Sequence, residues 1–209
     1  MAYRINNVWL PELKLVFALP RKSACTTMKH LLLQVVGLSD TAPGVQRHPS
    51  VHGIQCPQFR EIGIEDTPGD CELIGVMREP VSRLWAAWQQ VRGARGVDDF
   101  DKLICRESLL TDAERNVHMA TQRSYLRTPT GRVPDRWLLT EHLDDDWAAL
   151  CVRQGWPVSR VPHLNPDQHA PYRPEAVSVA TRNLIQEIWS DDFVLYAMAC
   201  VEREGLMPA

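Results

Sequence analysis

Short apolar runs alternate with stretches of helical periodicity along this chain. Residues 13–19, Leu-Lys-Leu-Val-Phe-Ala-Leu, are mostly apolar and too few for a helix, which predicts a buried parallel strand. Residues 20–25 follow as a turn of small and basic side chains. Residues 26–37 carry apolar positions at helical spacing, with Thr near the start and Gly37 as a stop, and predict a helix. The order then recurs. Residues 72–77 predict a second strand, Arg78-Glu79-Pro80 breaks it, and residues 81–92 predict a helix with Pro80 in its first turn. Helices are expected near 98–106 and 111–126, and a third short strand over 136–140. A helix is expected over 143–154, where Asp144, Asp145 and Asp146 suit the positive end of the helix dipole. Residues 38–71 are rich in Pro, Gly and His and predict no clear element. Residues 156–174 hold five prolines and predict a loop, and residues 175–198 predict one or two closing helices. Strands alternating with helices imply an α/β layer fold around a parallel sheet. No internal repeat or linker divides the chain, so residues 1–209 read as a single domain.

Charge narrows the function classes. Lys and Arg number 23 against 26 Asp and Glu, a net charge of −3, which argues against a nucleic-acid coat or a polybasic membrane binder. It leaves room for a local basic pocket that grips a small polyanion. No apolar run approaches the ~20 residues that span a bilayer. The first residues lack the apolar core and cleavage signature of a secretory signal. The six cysteines are spread out with no C-x-x-C pair, so a zinc knuckle is not expected. Five of them read as small buried apolar residues of a cytoplasmic protein, and Cys25 is set apart by its basic neighbours.

The chemistry concentrates in the two basic turns. Ligands of open parallel sheets sit beyond the carboxyl ends of the strands, where both turns fall. At the first, Arg21, Lys22, Ser23, Thr26 and Thr27 surround a helix N-terminus, whose free N–H groups and dipole attract anions. Ser23, Ala24 and Cys25 are small enough for their amides to approach phosphate oxygens. At the second, Arg78 follows the strand directly, and its planar fork suits a phosphate monoester. Two such corners suit a ligand with two separated phosphates. A Walker loop needs glycines ahead of Lys-Ser, and no glycine lies between Leu13 and Lys22.

At these residues the sequence resembles the PAPS-dependent sulfotransferases, in particular the carbohydrate branch (sulfotransferase family 2) that includes heparan-sulfate and chondroitin-type enzymes and their short bacterial relatives. Residues 19–29, Leu-Pro-Arg-Lys-Ser-Ala-Cys-Thr-Thr-Met-Lys, look like the family's 5′-phosphosulfate loop. Residues 76–88, Val-Met-Arg-Glu-Pro-Val-Ser-Arg-Leu-Trp-Ala-Ala-Trp, look like its 3′-phosphate motif, and residues 140–147 resemble a later family stretch. The resemblance implies a P-loop-like three-layer fold with a central parallel sheet flanked by helices. It implies PAPS as donor, PAP as product, no metal, and in-line sulfuryl transfer to a hydroxyl of a sugar, glycolipid or small metabolite. Lys22 would neutralise the leaving phosphate oxygen, with Arg21 as the other basic residue at that place. Amides of residues 23–27 and the hydroxyls of Thr26 and Thr27 would hold the 5′-phosphate, and Arg78 the 3′-phosphate. Where the family commonly has a Ser sharing the 3′-phosphate, this chain has Ala86, and Ser82, one turn earlier on a similar face, is the expected substitute.

A base for the acceptor hydroxyl suits histidine. Of the seven histidines, His52 matches the place of the family's base upstream of the second turn, and His118 is the second candidate. A carboxylate such as Glu61 or Glu65 is the remaining option. Gln122, Arg123 and Arg127 are candidate contacts to an acidic or sugar substrate. Trp85 and Trp88 read as core residues, and Asp144 to Asp146 as a helix start. A P-loop-type kinase and a non-catalytic nucleotide-binding module are the competing classes. The expected partner is a hydroxylated acceptor rather than a nucleic acid or a membrane.

Overall fold

A computed structural model describes residues 6–38, 55–158, 160–162 and 172–205. The chain runs β1 (Asn7–Leu10), β2 (Leu15–Ala18), α1 (Cys25–Val35), β3 (Gln55–Cys56), β4 (Phe59–Ile62), β5 (Glu72–Met77), α2 (Pro80–Arg95), α3 (Phe100–Ser108), α4 (Arg123–Leu126), β6 (Arg136–Leu139), α5 (Leu143–Gln154), α6 (Val179–Ile188) and α7 (Ser190–Arg203). Among the described residues the strands form one six-stranded sheet in the order β3-β4-β1-β2-β5-β6.

The expectation of a parallel sheet holds for only part of it. β2, β5 and β6 pair in parallel, but β1 runs antiparallel to both β2 and β4, and β3 antiparallel to β4. The antiparallel arm starts at a reversal between β1 and β2. A 3-10 turn at Pro11–Leu13 ends on Lys14 at φ 52°, which folds β2 back along β1 and delays the strand to Leu15. The molecule is therefore a mixed α/β fold with a mixed sheet flanked by helices.

Alternation along each parallel strand sends its side chains to two different helix layers. Leu15, Phe17, Ile74, Val76 and Leu138 pack with Met28, Leu31 and Leu32 of α1 and with Leu143, Trp147 and Leu150 of α5. The intervening Val16, Ala18, Leu73, Met77, Trp137 and Leu139 pack with Leu126 of α4 and with Leu195 and Ala199 of α7. Each fully buried Leu or Phe in these layers contributes about 1.5–3 kcal/mol of hydrophobic stabilisation. A third apolar cluster joins α2, α3 and α6 through Leu84, Trp88, Leu103, Ile104 and Ile185.

The helix expected over 111–126 is largely replaced by turns, and only Arg123–Leu126 is α-helical. Local side chains capture the backbone there instead. The Glu114 carboxylate accepts from the Thr111 amide, Asn116 Oδ1 accepts from the His118 amide, and Asp112 Oδ1 accepts from the Thr121 amide at 2.8 Å. The cysteine expectation also needs correction: only Cys71 and Cys151 are buried, Cys56 and Cys200 are half-buried and Cys105 is exposed. Among the described residues no helix is long and apolar enough to cross a membrane.

Candidate functional site

Parallel pairing of β2, β5 and β6 points their carboxyl ends to the same edge, and the basic turns leave from there. The first turn is anchored where β2 stops. The Leu19 amide donates to Asn7 Oδ1 at 2.9 Å, and Asn6 Nδ2 donates to the Leu19 carbonyl. The Ser23 amide closes onto the Pro20 carbonyl at 3.2 Å. Lys22 and Ala24 sit in the left-handed region at φ 69° and 56°, a conformation that costs a non-glycine residue on the order of 1 kcal/mol and recurs at ligand sites. α1 then opens without a side-chain cap. Its first backbone bond runs from the Met28 amide to the Ala24 carbonyl, so the amides of Cys25, Thr26 and Thr27 precede the helical ladder.

The second turn meets the first. Arg78 Nη1 donates to the Lys22 carbonyl at 3.3 Å, and Arg78 Nε donates to Ser82 Oγ at 3.0 Å. Ser82 is thus the hydroxyl beside the guanidinium, while Ala86 is a buried apolar position. Lys22 Nζ donates to Gln90 Oε1 of α2 at 3.0 Å. Burial lowers the Lys22 pKa first, Cys25 acts against that shift, and the positive charges of Arg78 and Arg21 add to it. Burial also lowers the Arg78 pKa, against the opposing pull of Glu141 and Glu79. Three cations therefore crowd one edge, and the hydrogen-bond partners of Lys22 and Arg78 are neutral groups.

The two helix starts differ. Glu79 caps α2 with its own carboxylate, accepting from the Val81 amide at 3.0 Å and the Ser82 amide at 2.6 Å. The α2 N-terminus is already satisfied, so the groups at the second turn that could meet an anion are Arg78 and Ser82 rather than helix amides. Arg21, Lys22, Ser23, Ala24, Cys25, Thr26, Thr27, Arg78 and Ser82 all belong to the two turns or the first turns of their helices. Ser23 is fully buried, so it faces the interior and supports the loop.

Gln122 is not a substrate contact. It is fully buried, and its amide bonds both basic turns. Arg123 and Arg127 remain exposed beside a cavity of about 490 Å³, lined also by Thr121, Ser124, Thr128 and Thr130. Arg123 is paired with Asp191 at 3.0 Å.

The base candidates separate. His52 lies outside the described residues. His118 stands on a turn over α2, where Arg83 Nη1 donates to its carbonyl at 3.1 Å. Glu61 is buried on β4 and its Oε2 lies 3.0 Å from Lys29 Nζ of α1, whose ammonium also donates to Asn6 Oδ1 at 3.0 Å. Burial lowers the Lys29 pKa, and Glu61 acts against that shift. Glu65 is exposed. Asn6, Asn7 and Lys29, which bind the loop anchor and its neighbourhood, carry no local sequence signal. Their partners, Leu19, Tyr125 and Glu61 among them, lie far away in the chain.

No protein-family model, curated protein or solved structure matches the chain.

Proposed function

We propose that this chain is a PAPS-dependent sulfotransferase that modifies a hydroxyl of a sugar, glycolipid or small metabolite. The observation that carries this reading is the bond from Arg78 to the Lys22 carbonyl at 3.3 Å, which sets two basic corners side by side at one sheet edge. The repulsion that Arg78 and Arg21 exert on Lys22 is relieved by a ligand bearing two phosphates. The parallel β2, β5 and β6, with helices on both faces, also suit a P-loop-like arrangement.

PAPS supplies the sulfuryl group and a phosphate at each of its 5′ and 3′ ends. On the protein side, the amides of Cys25, Thr26 and Thr27 bind the 5′-phosphate, aided by the Thr26 hydroxyl. Arg78 and Ser82 bind the 3′-phosphate, the group that separates this donor from ATP. Lys22 places its ammonium by the leaving oxygen, where charge develops in the transition state. An imidazole, His52 or His118, accepts the acceptor's hydroxyl proton.

Thermal-shift titration tests the donor class. PAP is expected to raise Tm by several degrees at ~100 times its Kd, equivalent to about 3 kcal/mol. Stabilisation by ATP with Mg²⁺ and none by PAP would overturn the proposal in favour of a kinase. Transfer from labelled PAPS to hydroxylated acceptors then identifies the base. Its substitution by Ala is expected to cut turnover about 10²- to 10⁴-fold.

A further inference from the structure

We infer that Gln122 is a positioning residue that sets the distance between the two phosphate-binding corners. The inference rests on the two-phosphate reading above and adds a determinant that touches neither phosphate.

Gln122 precedes α4 and is fully buried between the turns. Its Oε1 accepts from Ser23 Oγ at 2.8 Å and from the Arg78 amide at 3.1 Å. Its Nε2 donates to the Arg78 carbonyl at 2.9 Å. These partners allow one orientation of the amide, because the Arg78 N–H only donates and the Arg78 carbonyl only accepts. One planar group thus ties the first loop, through Ser23, to the backbone on both sides of Arg78. Ser23 and Lys22 are neighbours in that loop, so Gln122 bonds directly beside the cation of each corner.

The clasp is itself anchored. The Gln122 amide donates to Asp192 Oδ2 at 2.8 Å, and the Arg123 amide donates to Asp192 Oδ1 at 2.9 Å. Asp192 is buried in the first turn of α7. Both corners are therefore referenced, through Gln122, to a helix packed on the sheet. Neither Glu nor Met serves equally. Glu accepts both bonds but has no donor for the Arg78 carbonyl, and Met fills the same length with no polar group.

A spacer has a signature that a simple core residue lacks. It changes binding of a ligand spanning both corners far more than binding of a ligand using one. Calorimetric affinities of PAP and of adenosine 5′-monophosphate should be compared in wild type, Gln122→Met and Gln122→Glu. Ser23→Ala, which removes a single bond of the clasp, serves if both larger changes fail to fold. The ratio of PAP to monophosphate affinity is expected to fall about 10- to 100-fold in Gln122→Met, with monophosphate affinity within about threefold of wild type. Gln122→Glu and Ser23→Ala are expected to shift the ratio in the same direction by less. An unchanged ratio, or equal loss for both ligands, overturns the inference and leaves Gln122 as a core hydrogen-bonding residue. Wild type that binds PAP no better than the monophosphate overturns the two-phosphate reading itself, and the spacer with it.

Discussion

Arg78 and Lys22 work against their surroundings before any ligand arrives. Both are partly withdrawn from water, and Lys22 also lies near the positive charges of Arg78 and Arg21, while Glu141 and Glu79 only partly offset the burial of Arg78. Arg78→Ala should weaken PAP binding about 30-fold, the loss of one charge-assisted bond of about 2 kcal/mol, while sparing adenosine 5′-monophosphate. Calorimetry with the two ligands measures this directly. The Lys29–Glu61 pair makes a different prediction. Both side chains are buried, so Glu61→Leu leaves an uncompensated ammonium and should cost about 3–5 kcal/mol in urea unfolding. Adding Lys29→Met should recover much of that loss, because the stranded charge is gone. Asp192 adds a pH dependence. Burial raises its pKa to about 6, against Arg83 and the two amides it accepts from, with Asp112 adding to the rise. Between about pH 4 and 6 the folded state holds more protons than the unfolded one, so stability falls as pH rises and levels off above about 6. Asp192→Asn should remove a slope worth on the order of 3 kcal/mol across that window, seen as a pH-dependent gap between the two unfolding curves.

The helices α1 and α2 start in opposite electrostatic states, although both follow a strand and a basic turn. α1 lacks a cap and offers amides to an anion, whereas α2 is closed by Glu79. Glu79→Ala should lower stability by about 1 kcal/mol through the lost cap. It also removes a carboxylate near Arg78, so PAP affinity should hold or rise while Tm falls, a split that binding and melting measurements separate. β5 sets a steric limit in the same region. A Cβ at Gly75 would lie 2.5 Å from Pro134 Cγ and 3.0 Å from Leu126 Cδ2, so Gly75→Ala should cost about 1–3 kcal/mol. The elements that carry the site were legible because each is contiguous. The strand at Glu72–Met77, the helix at Leu143–Gln154 and the sites of both turns follow from apolar runs, Pro80 and helical spacing. Ser82 was legible as the position one helical turn from Ala86. The antiparallel strands β1 and β4 were not, since neither short segment carries a pattern long enough to separate strand from loop.

At the level of the whole molecule, the sheet order decides whether two distant turns become one site. β2 and β5 are neighbours, with Ala18 opposite Gly75, so the two basic turns leave adjacent strand ends at the same edge. Because the site is cationic in a chain of net negative charge, PAP affinity should fall with added salt, more gently than for a fully exposed site. From the sequence alone came the chemistry of each corner: a lysine and small residues opening one helix, an arginine and a serine opening another. Those features depend on a few adjacent residues and their intrinsic geometry. The folded structure alone decided that the sheet is mixed, that Glu79 closes α2, and that Gln122 joins Ser23 to Arg78 across 99 and 44 positions of chain. Such contacts depend on which strands become neighbours, a result of packing the whole core that no local pattern encodes.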